Sequence, residues 1–247
     1  MRRQLRSELF KQRSTRTMLG LFATMIGLVA LAVVLHSLLP IEPLQRHDNQ
    51  LTILGRGEFL GALFATLLGA LSVTTEFRHG TIRPTLLVTP LRGRVIWAKV
   101  TTSVLAGAGF GLVAGAVAVA AGLVTLGARG IDLTLDAADY SLLVAGSAVA
   151  AALMSAVGVG VGSLVRHQVP AVVGICGWLL FVEGLLAGDL VGLGGVFKFL
   201  PGSAASGITG QQPDVLLAPV VALPVLIAYA LAVAAAGAWA TSQRDVG

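Results

Sequence analysis

The chain has 247 residues, of which 55% are hydrophobic and only 12% charged, with a mean hydropathy of +0.87 and a formal charge of +5. A water-soluble domain carries roughly 25% charged residues, so this composition excludes a soluble enzyme or binding module. It leaves one membrane domain of several helices, each needing about 20 apolar residues to cross.

Residues 1–17 hold six Lys and Arg against one acid, Glu8, and Leu5, Leu9 and Phe10 fall near one helical face. That pattern predicts a short interfacial helix lying along the membrane. Residues 18–39 then run without a formal charge, too long for a signal-peptide core and lacking a small-x-small cleavage site. They read as an uncleaved first span. A polar loop over 40–57 precedes span two (58–75), and a dense polar segment over 76–94 precedes span three (95–126). Asp132, Asp136 and Asp139 mark the next loop; span four is 140–164, and a tight turn over 165–168 leads to span five, 169–186. A Gly-rich loop occupies 187–214 and span six is 215–239. The expected fold is an all-α integral membrane protein, a single domain of six transmembrane helices.

The basic residues sit in the short segments between spans, a placement that suits membrane topology and argues against a nucleic-acid partner. Thirteen Lys and Arg fall on the face shared by the two termini, the 76–99 segment and the 165–168 turn, against four on the other face: Arg46, Arg56, Arg129 and Lys198. Cytoplasmic loops carry the excess, so both termini are expected in the cytoplasm. Small residues recur every fourth position, as in Gly61, Ala65 and Gly69; Gly107, Gly111 and Gly115; and Gly158 and Gly162. Helices in lipid associate through close packing, which such rows permit. Packing within the bundle is the first expectation and a subunit interface the second.

The segment from Glu76 to Lys99 is the most charged connector, punctuated by Gly80, Pro84 and Pro90. A helix between Arg83 and Thr89 is favoured, with Pro84 in its first turn and Pro90 closing it. Leu86 and Leu87 can then face apolar surface while the arginines meet water, lipid phosphate or acidic protein; taken alone, a loop that binds lipid headgroups explains it as well. Its order is an acidic residue closing span two (Glu76), Gly80-Thr81, Pro90-Leu91-Arg92, and a lysine opening span three (Lys99). In this it resembles the cytoplasmic connector of type-2 ABC transporter permeases. The six-span plan, the basic N-terminal segment and Leu200-Pro201 before span six extend the resemblance more loosely.

The resemblance implies a coupling helix that docks on an ATPase, with Glu76, Arg78, Gly80, Thr81, Arg83, Leu86, Leu87, Pro90, Arg92 and Lys99 at the coupling site. It also implies a bacterial cell membrane, two copies of an ABC ATPase, and a second permease, the same chain or a related one. A phosphate-binding loop of the Walker A kind requires a Gly-Lys pair. The three lysines here follow Phe10, Ala98 and Phe197, so ATP and magnesium are expected in the partner and no cofactor in this chain.

Glu183 is the clearest ionisable residue inside a span, and an intramembrane carboxylate is a functional candidate by default, here for cargo or gating. Reach to interfacial water is its bland alternative. Glu58, beside Arg56, is expected at the interface. The four histidines lie at no ligand spacing, so no metal site is assigned. The single cysteine, Cys176, is read as a packing residue. No paired groups suggest catalysis. The leading expectation is therefore a permease for hydrophobic or amphipathic cargo such as a drug, lipid or peptide. A non-transporting membrane assembly or sensor protein is second, and a secondary transporter third, because the spans are nearly bare of charge.

Overall fold

A computed structural model describes residues 16–39, 43–80, 92–187 and 195–243. Helix accounts for 85% of the described residues, and they include no strand. The elements are α1 (Arg16–Leu38), α2 (His47–Leu54), α3 (Arg56–Arg78), α4 (Arg92–Ala128), α5 (Ala137–Val165) and α6 (Gln168–Gly177). A π-helical turn (Trp178–Val182) and one more α turn (Glu183–Ala187) continue α6. A 3-10 turn (Phe197–Phe199), α7 (Pro201–Ile208) and α8 (Pro219–Gln243) complete the order. Among the described residues six helices are long and apolar enough to cross a membrane, as a multi-pass protein requires. The expected interfacial helix falls on residues 1–17, all but the last two outside the described residues, and the expected coupling helix lies wholly outside them.

The central helix is the second crossing. Of its most apolar window 78% is buried, against 17% for α1, so α3 is enclosed by its neighbours while α1 presents Leu19, Leu28, Leu31 and Leu35 outward. Leucine rows exposed along a whole helix are what lipid accommodates and water does not. The enclosure of α3 depends on its partners α4 and α5, and all three approach closely. A Cβ on Gly158 would collide with the Thr66 carbonyl, and one on Gly69 with the Ser155 carbonyl. The rows Gly61–Gly69, Gly107–Gly115 and Gly158–Gly162 thus pack within the chain, where backbone-to-backbone contact supplies dispersion attraction that lipid cannot better.

Several boundaries differ from the expected ones for local reasons. The stretch predicted as a polar loop over 40–57 becomes helical at His47, because Leu51, Ile53 and Leu54 are buried and the Gln50 amide is fully engaged. Gln50 Nε2 donates to the carbonyls of Leu44 (3.0 Å) and Asp132 (2.9 Å), and its Oε1 accepts from Thr134 N at 3.0 Å. Span three starts at Arg92 and ends at Ala128, 37 residues, or about 55 Å at 1.5 Å per residue, longer than a hydrocarbon core of about 30 Å. Span four starts at Ala137, ahead of the expected Tyr140. Asp136 and Asp139 exchange backbone-to-carboxylate bonds of 2.9 Å in a capping box that fixes the first turn. Span six begins at Pro219, four residues later than expected; proline tolerates a first helical position because the amide it lacks has no partner there.

The expected loop over 187–214 contains α7, which folds back against α3, α5 and α8. The ends of the bundle follow from side-chain ties. Ser37, closing α1, meets Thr125 near the end of α4, and Arg129 donates to the Ser37 carbonyl. At the other end, which we call the connector end, Arg166 between α5 and α6 donates to Ala240 O of α8 at 3.3 Å. The described starts of α1 and α4 and the ends of α3 and α8 therefore share the connector end. The α2 and α7 segments share the far end.

Candidate functional site

Two places in the bundle concentrate charge. At the connector end, Glu76 lies in the last turn of α3 and Lys99 in the second turn of α4. Lys99 Nζ meets Glu76 Oε1 at 2.8 Å and donates to the Ser72 carbonyl at 3.2 Å. Lys99 is only 1% exposed, so the aliphatic stem is packed and the ammonium is sealed beside its partner. Placing two charges in a low-dielectric interior is costly, and removing one alone costs about 3–5 kcal/mol. The pair therefore fastens the two roots of the connector to each other.

Around this pair, Arg78 is exposed and donates to Gln168 Oε1 at 3.1 Å, tying the end of α3 to the start of α6. The Arg166 guanidinium lies 5.2 Å from the Phe77 ring centre, a cation–π contact. Gly80 adopts a left-handed φ of 67°, which a residue without Cβ takes at no steric cost, and it turns the chain out of α3. Of the expected coupling residues, Glu76, Arg78, Gly80 and Lys99 are thus brought to one end. Thr81, Arg83, Leu86, Leu87 and Pro90 lie outside the described residues, as does the side chain of Arg92.

At the far end the chain buries two carboxylates. Glu183, 6% exposed, does not reach out to interfacial water. It accepts Trp178 Nε1 at 2.8 Å, Gly202 N at 3.0 Å, Ser203 N at 2.9 Å and Ser203 Oγ at 3.4 Å. The first amides of a helix have no intrahelical acceptor, and Leu200 at the N-cap position of α7 has no side-chain oxygen to offer. Glu183 supplies that cap from another helix, where a negative charge also complements the helix dipole. Its aim is set by the π-helical turn: Glu183 N bonds to Trp178 O, and the widened turn brings the Trp178 indole onto the carboxylate. Single π turns of this kind are frequent at functional sites.

Glu58 overturns its expected interfacial position. It is 1% exposed, accepting Ser206 Oγ at 2.9 Å and Gln211 Nε2 at 3.3 Å on Oε2. The other oxygen, Oε1, is buried with no partner among the described residues. The cause is tertiary: α7 and the following turn lie over the start of α3 and cover what sequence placed beside the exposed Arg56. The sequence offered no signal for Ser206 or Gln211. It did offer one for the connector pair, an acid closing one span and a base opening the next.

Among the described residues no three His, Cys, Asp or Glu side chains gather as a metal site. Cys176 is half-buried within α6. No protein-family model matches the chain, and no curated protein matches it either.

Proposed function

We propose that this chain is the membrane-spanning permease subunit of an ATP-driven exporter of the ABC type. It works with a second permease, the same chain or a related one, and with two copies of a separate ATPase that hold ATP and magnesium. Its place is a bacterial cell membrane with both termini cytoplasmic, as the charge bias between loops favours. Its cargo is hydrophobic or amphipathic, in keeping with spans nearly bare of charge.

The observation that carries this reading is the Glu76–Lys99 pair, with its lysine buried. A connector that transmits force must not let its two ends slide apart. An ion pair sealed between α3 and α4 makes them move together when the segment between them is pushed. Closure of the ATPases on ATP then shifts the population of permease conformations, because nucleotide binds one arrangement better than the other.

Leu86 and Leu87 are the apolar anchors proposed to enter the ATPase groove, and losing a buried anchor typically costs about 2 kcal/mol, roughly thirtyfold in affinity. The double substitution Leu86→Asp, Leu87→Asp is expected to weaken co-purification of the ATPase or abolish its stimulated hydrolysis while the permease still inserts. Normal retention with normal hydrolysis would remove the coupling role.

A further inference from the structure

Where α7 crosses the far ends of α3 and α6, a cleft of about 320 Å³ opens. Its polar wall is Glu183, Ser203, Ser206 and Gln211, and its apolar wall includes Phe59, Leu179, Leu180 and Phe197. A second cleft of about 420 Å³, lined in part by Asp48, Asp214 and His36, adjoins it, and Thr52, Arg56 and Gln212 line both. Glu58 stands directly behind the polar wall, bonded to Ser206 and Gln211.

Neither Glu58 nor Glu183 has a Lys, Arg or His partner among the described residues. Glu183 is satisfied by four neutral donors, but Glu58 Oε1 is buried with none among the described residues. An unpaired carboxylate in such surroundings gains strongly from a donor that also carries positive charge. Gln211 stands between Glu58 and the cleft, so a ligand that reaches Glu58 must displace its amide. Its amide donates to Thr209 Oγ1 at 2.6 Å and only weakly to Glu58, at 3.3 Å.

We propose that this cleft binds a protonated amine with a small apolar body, its ammonium held between Glu58 and Glu183 and its body against the Phe and Leu wall. The free oxygen of Glu58 calls for an N–H donor, which a quaternary ammonium lacks, and the described residues offer no trio of ligands for a metal ion. The volume lies at the small end of the range for ligand pockets, about 300–1,000 Å³, which favours a small arylalkylamine over a lipid. Arg56, exposed where the two clefts meet, opposes cation entry and sets the affinity from outside. The site belongs to this chain alone and does not rest on the ATPase coupling proposed above.

The test is calorimetric titration of the purified chain in phosphatidylcholine nanodiscs with phenethylamine, which is protonated at neutral pH. Its two controls are 2-phenylethanol and the N,N,N-trimethyl derivative. Saturable binding of phenethylamine is expected, with none of the alcohol and weaker binding of the trimethyl compound. Glu58→Gln should weaken binding about tenfold or more, as loss of a charge-assisted bond does, with circular dichroism and size-exclusion profile unchanged. Arg56→Gln, on the surface, should strengthen it severalfold, and it decides the matter if Glu58→Gln does not fold. The proposal is overturned by no saturable binding to the native chain, by equal binding of either control, or by Arg56→Gln without effect.

Discussion

At the connector end a half-buried carboxylate, Glu76, meets a buried ammonium, Lys99, across two helices at 2.8 Å. At the far end Glu58 and Glu183 meet only hydroxyl, amide and indole donors. The same residue type thus does two jobs in one bundle. A charge matched by its opposite cancels at short range and acts as a rivet, since each member becomes costly without the other. A charge held by neutral donors keeps its field and remains open to a cation. Among the described residues the rest of the buried interior carries no charged side chain, so in each case the neighbours alone decide the role.

The largest effect expected is at the rivet. Lys99→Ala removes the sealed ammonium from the pair and should destabilise the chain by about 3–5 kcal/mol, read by thermal unfolding in detergent. Replacing both members by Met should recover most of that loss, since a buried pair and a packed apolar pair are often close in energy. A single substitution costing under about 1 kcal/mol, the worth of an exposed pair, would place Lys99 in water and end the contrast.

A smaller effect is expected at Glu183. Glu183→Gln keeps an oxygen for the α7 amides but removes the charge at the helix N-terminus, a loss of about 1 kcal/mol. Hydrogen exchange should show it locally, as faster exchange of the Gly202 and Ser203 amides with α3 and α5 unchanged. Equal protection in both forms would mean that packing, not the carboxylate, holds α7.

The smallest effect sharpens the boundary of the rivet. Arg78 is exposed, and its bond to Gln168 competes with water. Arg78→Ala should therefore shift stability by less than about 1 kcal/mol, although it sits two residues from Glu76. Unfolding of this variant alongside Lys99→Ala separates a sealed charge from an exposed one at the same end of the bundle.

Much of this molecule was legible in one dimension. Lipid is a uniform solvent that demands about 20 apolar residues per helix and tolerates few charges, so the number and rough place of the spans follow from counting. The Val165–Gln168 turn was legible for the same reason, since Arg166, His167 and Gln168 interrupt an otherwise apolar run. The Asp136–Asp139 capping box is also visible as a spacing of three, yet the same acids read as loop, so the expected helix lacks its first turn.

What a sequence cannot carry is which surface covers which. Glu58 and Arg56 are two residues apart and of opposite charge, and both looked interfacial. Only the return of α7 over α3 buries one and leaves the other exposed, because burial depends on contacts between residues about 150 positions apart. Glu183 and Lys99 follow the same logic. Their residue types announced charges near helix ends, while their partners, the α7 amides and Glu76, were set by helices brought together through glycine-lined contacts. Solvent preference is a property summed along the chain, so sequence alone determined the membrane plan. The pairing of charges depends on distance in space, and only the tertiary structure decided it.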